Sequence, residues 1–421
     1  MKKYILIIGT TLLFSLFFLP AMQAQSKREI SLKICLDSAL TNYPSVESFR
    51  KMEESKTANA KSLNSELLPE LNINFQGSYN IYKEYEYRTL DNQLQFVWDM
   101  GKWTGKLQQA GVAEEKIAEF KSLQNKLDLI YRVKHAYYRL ISSNRTLIIA
   151  KKSESYLKHH LAVNEKLYEI GQIKRLDFYF TQAALSRAKE SVLAAQSEIE
   201  TWQIQLSNLT GFNILSSDSL EMPEKFSFDK NYSVDALLEE AKQFNPALSI
   251  LDKQVELGKV QANLIENSRM PKVYLSGGYI FHSDPTSGGN FSTINGGLLI
   301  PIFDWGTRSN RAQSIQLKVE SVKSTKRTFL RELETKLKSL VNRMENVKKL
   351  LALKDTSIAQ AQKTYELTLI NYKAGISTNT DVLLAQKVLI ESKASKEKLI
   401  STLYEIESQI ENLVGKLEVK Q

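Results

Sequence analysis

The stretch at residues 372–381, Tyr-Lys-Ala-Gly-Ile-Ser-Thr-Asn-Thr-Asp, decides the fold, and a related stretch stands 204 positions earlier. That earlier copy, residues 168–177, reads Tyr-Glu-Ile-Gly-Gln-Ile-Lys-Arg-Leu-Asp. Each copy lies between two long heptad-patterned segments, so we interpret it as the bend between two antiparallel helices. Gly171 and Gly375 would supply the left-handed residue that ends the first helix. Thr378 and Asp381 match a capping box that would start the second helix.

The rest of the chain also repeats, at offsets of 202 to 205 positions, which indicates an internal duplication. We therefore divide the chain into a first repeat at 25–211, a linker at 212–232, a second repeat at 233–416 and a tail at 417–421. The matching landmarks are Asn42-Tyr43-Pro44 with Phe244-Asn245-Pro246, Leu68-Pro69 with Met270-Pro271, Trp98-Asp99-Met100-Gly101 with Phe303-Asp304-Trp305-Gly306, the tip glycines, and Leu209-Thr210-Gly211 with Leu413-Val414-Gly415.

Each repeat shows the same order of predicted elements. A short helix near 31–42 or 233–244 precedes a proline and a medium helix that reaches Leu67 or Arg269. Alternating residues then predict two strands, joined by a loop at 83–89 or 283–290. A long helix follows, near 103–170 or 307–374, and each would be on the order of 100 Å long.

Residues 1–24 have the features of a secretory signal peptide. Lys2 and Lys3 give a positive start, an apolar run follows at 4–19, and Ala24 stands at the expected cleavage position. No later segment has the roughly 20 uninterrupted apolar residues of a membrane helix. Any later membrane crossing must therefore use strands.

Composition and charge disfavour several classes of function. Without Lys2 and Lys3 of the signal peptide the formal net charge falls by two, from +9 to +7, and this charge is spread along the helices, so the sequence indicates no nucleic-acid partner. The single cysteine, Cys35, excludes an intramolecular disulfide and a multi-cysteine metal site, and we interpret it as a small apolar residue on a short helix. No catalytic triad, phosphate-binding glycine loop or carboxylate pair stands out. We therefore expect neither an enzyme nor a cofactor.

The predicted strands are apolar on one side and polar on the other. They fit a membrane barrel with a wet lumen or a soluble antiparallel sheet with one solvated face, and the signal peptide favours the membrane. Four strands cannot close a barrel, and an open sheet edge is not viable in lipid. Two copies would give eight strands, three twelve and four sixteen, and only the larger assemblies leave a passage. The apolar positions are Leu71, Ile73, Phe75, Tyr79, Ile81, Leu90, Leu94, Phe96, Trp98, Val273, Leu275, Tyr279, Phe281, Ile294, Leu298, Ile300 and Ile302.

Several motifs follow one another in a specific order and spacing. They are the duplicated layout, Asn-Tyr-Pro at 42–44, Asn-Pro at 245–246, the run at 300–306 that leads into Arg308 and Arg311, and the Gly-x-x-x-x-x-Asp spacing of both tips. Together they resemble the TolC-type outer-membrane efflux channels over essentially the whole mature chain. The resemblance implies an α+β membrane protein, in which long antiparallel coiled-coil hairpins form an α-barrel and four transmembrane strands per chain complete a trimeric 12-stranded β-barrel.

The resemblance also implies a place and a function. The homotrimer would contact lipid in the outer membrane and extend its helical barrel into the periplasm. It would be the exit duct of a tripartite efflux or type I secretion system, passively conducting substrates from a periplasmic adaptor protein and an inner-membrane transporter of the RND, ABC or MFS type. Family members carry drugs, metal ions or secreted proteins, and the sequence leaves the cargo of this chain open.

The family's periplasmic tip closes at rest and opens on docking with its partners. Asp381 matches an aspartate that forms a constricting ring in the family. Leu384 stands where the family has a second aspartate, and Ser377 replaces the family's loop arginine. The resemblance therefore implies a gate or tip site made of Tyr168, Gly171, Asp177, Tyr372, Gly375 and Asp381.

Alternatives remain for these residues. Arg175 and Asp177 could replace the missing arginine network from the other hairpin. Asp381 could instead only cap its helix with Thr378, and the two tip tyrosines could pack in the helix seam. His159 and His160 point about 100° apart on a helix and make no chelate, so we expect a surface role for both.

A competing interpretation is an exported coiled-coil structural or adhesion protein without a channel. Its sheets would be soluble. The four alternating strands, with their Tyr and Trp residues, favour the duct, because a plain rod would not need them.

Among the other histidines, His135 stands isolated in the sequence.

Overall fold

The computed structural model describes residues 28–416, apart from 69, 82, 85, 99–104, 216–217, 222–231 and 283–289. The predicted signal peptide at 1–24 and the tail at 417–421 therefore lie outside the described residues. So do the landmark residues Pro69 and 99–101, most of the predicted loop at 283–290, and the linker residues 216–217 and 222–231.

Both repeats contain the predicted order of short helix, medium helix, two strands and a long helical hairpin. The first repeat consists of β1 (Glu29–Ile30), α1 (Leu32–Asn42), α2 (Pro44–Ser65), β2 (Glu70–Ile81), β3 (Glu86–Trp98), α3 (Lys106–Glu169) and α4 (Arg175–Thr210). The linker contains β4 (Ser219–Leu220), and the second repeat consists of α5 (Val234–Phe244), α6 (Pro246–Asn267), β5 (Lys272–His282), β6 (Phe291–Leu299), α7 (Thr307–Lys373) and α8 (Asn379–Val414).

The predicted linker at 212–232 contains the short strand β4. This strand pairs in parallel with β1, so that Ile30 lies opposite Leu220. The hydroxyl of Tyr137 on α3 lies 3.1 Å from the carbonyl oxygen of Ile30 and 2.7 Å from that of Glu221. One buried side chain thus holds both segments against the long helix.

The structure also refines the predicted loop between β2 and β3 and defines the starts of the two long helices. The loop predicted at 83–89 is shorter, because β3 begins at Glu86, which pairs with Ile81 across the hairpin. Gly105 and Gly306 precede α3 and α7 in the left-handed conformation, with φ of 68° and 80°. Gly105 and Gly306 therefore occupy equivalent places before the two long helices, and the predicted landmark Gly101 lies outside the described residues.

The long helices stand side by side in one wall. α3 has 64 residues and α7 has 67, so they are about 96 and 100 Å long. Towards the tips α3 packs against α4 and α8, and towards the sheet it packs against α2 and α6. α7 packs against α8 and α6 in the same way. α3 and α8 therefore join the two repeats along the wall, and at the tips α8 also contacts α4.

Narrow apolar seams hold this wall together, as a repeat near 3.5 residues requires. α1 covers the seam between α3 and α4, and α5 covers the seam between α7 and α8. Cys35 is buried in the first cluster, and burial raises the pKa of its thiol to about 12. Residues that are almost wholly buried in the two clusters include Ala39, Leu129, Val133, Tyr137, Leu140, Leu206, Ala241, Leu248, Leu333, Leu337, Leu403, Ile406 and Ile410.

Among the described strands, β2, β3, β5 and β6 form one antiparallel sheet in that order. Its apolar face is exposed along the outer strands, at Leu71, Ile73 and Phe75 on β2 and at Ile294 and Leu298 on β6. Polar residues alternate with them on the other face. In the described chain, β2 and β6 each have one edge without a partner strand. None of the helices described is both long and apolar enough to cross a membrane.

Candidate functional site: the tips of the two helical hairpins

Each hairpin bends at a glycine, as predicted. Gly171 and Gly375 both have φ of 74°. The residue after each glycine donates its N–H to a carbonyl five positions back, Gln172 to Leu167 at 2.8 Å and Ile376 to Asn371 at 2.9 Å. This pattern closes the end of a helix and needs a left-handed residue, which only glycine adopts without strain.

The predicted capping box is present at the start of α8. The hydroxyl of Thr378 accepts from the N–H of Asp381 at 3.2 Å, and the Asp381 carboxylate accepts from the N–H of Thr378 at 2.8 Å. Hydrogen bonds from the side chain and backbone of Thr378 lower the pKa of Asp381. The Asp381 side chain remains exposed, so its cap and a role towards solvent are compatible.

The two tip tyrosines have different surroundings. Tyr372 is only 6% exposed and packs in a seam with Tyr365, Val382 and Leu389. Burial, with a further contribution from the Asp177 carboxylate, raises the pKa of Tyr372 to about 12. Tyr168 is 43% exposed. Seam packing therefore describes Tyr372 and does not describe Tyr168.

A buried set of polar groups joins the two hairpins just behind the tips, and we call it the tip cluster. The amide of Asn379, the first residue of α8, stands at its centre. Asn379 Oδ1 lies 2.7 Å from His160 Nε2 and accepts from Asn164 Nδ2 at 3.0 Å and Thr181 Oγ1 at 3.1 Å. Asn379 Nδ2 donates to the carbonyl oxygen of Asp177 at 2.9 Å.

Tyr372 completes the tip cluster from α7. Its hydroxyl donates to Asn164 Oδ1 at 2.6 Å, and its ring meets the His160 ring edge-on with centroids 5.2 Å apart. Asn164 also donates to Thr181 Oγ1 at 2.8 Å. His160 and Asn164 belong to α3, Asp177 and Thr181 to α4, Tyr372 to α7 and Asn379 to α8. Every helix that meets at the tips therefore contributes to one hydrogen-bonded set.

The structure corrects the surface role predicted for His160. His159 is exposed as expected, whereas His160 is only 3% exposed. The spacing Leu157, His160, Asn164 follows the three-and-four step of a seam, and this signal could have placed both polar residues inside. Burial lowers the pKa of His160.

The structure gives partners to two further charged or titratable residues. Arg175 donates to the hydroxyl of Tyr179 at 3.0 Å, and the network of Arg175 with Asp177 stays a prediction. His135, predicted to be isolated, lies 3.7 Å from a carboxylate oxygen of Glu405 and packs edge-on against Trp202.

A second polar seam joins the repeats between the tip cluster and the sheet. α3 supplies the cations and α8 the carboxylates. Arg145 Nη1 lies 2.8 Å from Glu397 Oε2, and Arg139 Nη2 lies 3.4 Å from Glu405 Oε2. The ion pairs on this seam include Lys134–Glu411, Arg139–Glu405 and Arg145–Glu397.

Comparisons with known proteins agree with this architecture. The chain is 20% identical to the outer membrane protein TolC of Vibrio cholerae over 401 residues, which cover 90% of each protein. It is 21% identical to OpmQ, the pyoverdine export outer membrane protein of Pseudomonas aeruginosa, over 81% of this chain and 76% of OpmQ.

A solved structure has the same fold. The outer membrane protein VceC of Vibrio cholerae matches with a TM-score of 0.77 at 16% identity, over 91% of this chain and 96% of VceC. The model of the Outer membrane efflux protein family matches residues 35–212 and 237–416, which are most of the chain. The chain therefore belongs to the outer membrane efflux protein family, and this confirms the outer-membrane location and the channel function predicted from its sequence.

Proposed function

We propose that three copies of the chain close into one conduit, with a 12-stranded barrel in the outer membrane and a ring of about twelve long helices in the periplasm. The observation that carries this proposal is the pair of uncovered edges on the described sheet, at β2 and β6. Unpaired backbone groups are not viable in lipid, so identical copies would have to join edge to edge. The exposed apolar face of the sheet would then meet lipid.

The same closure applies to the helical wall. Within the described chain, α4 packs mainly against α3 and α7 packs mainly against α8. An α4 of one copy beside an α7 of the next would complete the ring. In this division the signal peptide at 1–24 is removed, the repeats at 25–211 and 233–416 build the wall and barrel, the linker at 212–232 joins them, and 417–421 is a tail.

Within a tripartite efflux or type I secretion system this conduit is the passive exit duct. It receives substrates from a periplasmic adaptor protein and an inner-membrane transporter of the RND, ABC or MFS type. The similarity to TolC and to OpmQ, which is named for pyoverdine export, supports this role.

Membrane fractionation with chemical crosslinking tests the assembly. We expect the protein to require detergent for extraction and to crosslink as a trimer. A water-soluble monomer or dimer would instead support the exported coiled-coil rod, whose sheet would be covered by water and not by lipid.

We further propose that the tips form the periplasmic gate, built from Tyr168, Gly171, Asp177, Tyr372, Gly375 and Asp381. Three symmetry-related carboxylates of Asp381 would narrow the tunnel and favour cations. The exposure of the Asp381 side chain in one chain supports this role, because the cap uses the carboxylate without burying it.

Single-channel recordings in planar bilayers separate the gate from the cap. We expect Asp381→Asn to reduce cation selectivity, because it removes the ring of charge and keeps the side-chain shape. Thr378→Ala is the matched control, since it breaks the capping box and leaves the charge. Unchanged conductance and selectivity in Asp381→Asn would contradict the gate role.

A further inference from the structure

The protonation state of His160 follows from its hydrogen bond in the tip cluster. Asn379 Nδ2 donates to the carbonyl of Asp177 at 2.9 Å, which fixes the orientation of the amide and leaves Asn379 Oδ1 facing His160. A carbonyl oxygen can only accept, so His160 Nε2 must carry the hydrogen. Nδ1 is then bare, and among the described residues it is buried with no hydrogen-bond partner. The cluster therefore holds a neutral imidazole.

A second proton on His160 would disrupt this arrangement. It would place a positive charge, and a new N–H without an acceptor, at a site that is only 3% exposed. Burying an unpaired charge costs far more than burying a hydrogen-bonded neutral group. The protonated ring is therefore favoured only when it leaves the cluster and reaches water.

The titratable groups around His160 offer no close counter-charge. His159 on the same helix opposes protonation through its own charge. From α7 the ring meets the neutral hydroxyl-bearing Tyr372. From α4, Asp177 contributes its backbone carbonyl to Asn379. From α8, the Asp381 carboxylate is bonded to Thr378 in the capping box.

We propose that His160 is a pH-sensitive latch between the two helical hairpins. Neutral His160 fastens α3 of the first hairpin to Asn379 at the start of α8, and protonation releases this contact so that the tips separate. The consequence for transport rests on the proposed function, in which the tips form the gate. The latch itself is a property of one chain.

The direction of the effect follows from the burial of His160. Burial in the latched state lowers the pKa of His160, whereas a released His160 has the ordinary histidine pKa of 6.5. The latch therefore has its full stability above about pH 6.5 and loses stability as the pH falls towards the lower pKa of the latched ring.

Distance measurements between spin labels at the two tips test the latch. Gln172→Cys and Ile376→Cys place labels on exposed positions of the two bends, and the buried thiol of Cys35 does not compete for the label. Labelled chains of the full protein are diluted with unlabelled chains, so that each assembly holds one labelled copy. We expect the distance distribution to move to longer values between about pH 7.5 and about pH 5.

Two variants identify the responsible residue. His160→Gln keeps an amide N–H for Asn379 and cannot titrate, so its distances should stay the same at both pH values. His159→Gln changes the exposed neighbour and should respond like the wild type. The proposal is overturned if the wild-type distances do not change, or if His160→Gln responds as the wild type does. The wild-type measurement does not depend on how either variant folds, so it tests the proposal by itself.

Conductance of the same proteins separates the latch from the gate. We expect the open probability of the wild type to rise as the pH falls, and that of His160→Gln to stay constant. Tip separation without any change in conductance would support the latch and count against the proposed gate. A pH-dependent conductance without tip separation would overturn the latch and leave the gate proposal in place.

Discussion

The two hairpin tips have the same backbone conformation at the bend, but the side chains around the two bends make different contacts. Gly171 and Gly375 have the same φ of 74°, and each ends a helix of more than sixty residues in the same way. The start of the returning helix differs. Thr378 closes a capping box at the second tip, whereas Lys174 offers no side-chain cap at the first.

The positions that meet the other hairpin differ most. Tyr372 is buried and bonded to Asn164, whereas its counterpart Tyr168 is exposed. Asn379 is the centre of the tip cluster, whereas its counterpart Arg175 lies on the surface. The repeats therefore keep what the backbone of a bend requires and diverge where one hairpin contacts the other. A cluster shared by two hairpins needs complementary partners, so identical halves could not build it.

Replacing Asn379 should lower the stability of the protein more than any other substitution that we propose. Asn379→Arg gives the second tip the residue of the first. It buries an unpaired charge at a site 2% exposed and removes the acceptor used by His160, Asn164 and Thr181. We expect a loss of at least ~3 kcal/mol in the free energy of unfolding, seen as a lower melting temperature in detergent.

Arg175→Asn is the matched control at the first tip. Its side chain is exposed and bonds to Tyr179, so we expect a change within about 0.5 kcal/mol. Equal effects of the two substitutions would show that the tip cluster does not distinguish the hairpins energetically.

The sequence predicted what depends on periodicity and on bends. The heptad stripes placed α3, α4, α7 and α8, the alternation placed β2, β3, β5 and β6, and the glycines placed both tips. The short strands β1 and β4 were missed because two residues cannot show a period. The tip cluster was missed for a different reason. His160 and Asn164 follow the spacing of a seam, but their polarity favoured a surface position, and the partners of Asn379 lie on other helices.

The ends of the returning helices provide a second comparison between the repeats. Gly211 and Gly415 both end their helices with positive φ, at 76° and 81°. A methyl group on Gly415 would lie 2.6 Å from the carbonyl oxygen of Phe244, whereas one on Gly211 would lie 3.2 Å from Asn42 Cβ. The backbone of the second repeat is therefore packed more tightly at this point.

We expect Gly415→Ala to be more destabilising than Gly211→Ala. Left-handed strain costs each variant about 1–2 kcal/mol, and the backbone clash adds about 1 kcal/mol or more for Gly415→Ala. Melting temperatures of the two variants, measured side by side, check the difference. A larger loss for Gly211→Ala would contradict the packing described here.

Removing the cap should have a smaller effect that is confined to one tip. Thr378→Ala deletes the acceptor for the N–H of Asp381, and loss of such a cap costs about 1 kcal/mol. We expect faster hydrogen exchange in the first turn of α8 and no change in the first turn of α4. Lys174→Ala at the first tip removes no cap and should leave exchange at both tips unchanged.

The smallest effect that we predict is a loss of amide protection in the first turn of α8 at low pH. Thr378 lowers the pKa of Asp381 from its ordinary value of 3.8, so the carboxylate stabilises the start of α8 above about pH 3.8. This contribution is lost as the pH falls through the lower pKa of the folded state. Protection factors of the first-turn amides of α8 should therefore decrease in this range in the wild type. They should not decrease in Asp381→Asn, which has no carboxylate to protonate, and an identical decrease in both proteins would assign the effect to another group. The latch begins to lose stability below about pH 6.5 and the cap of α8 below about pH 3.8, so the loss of the latch should begin first as the pH falls.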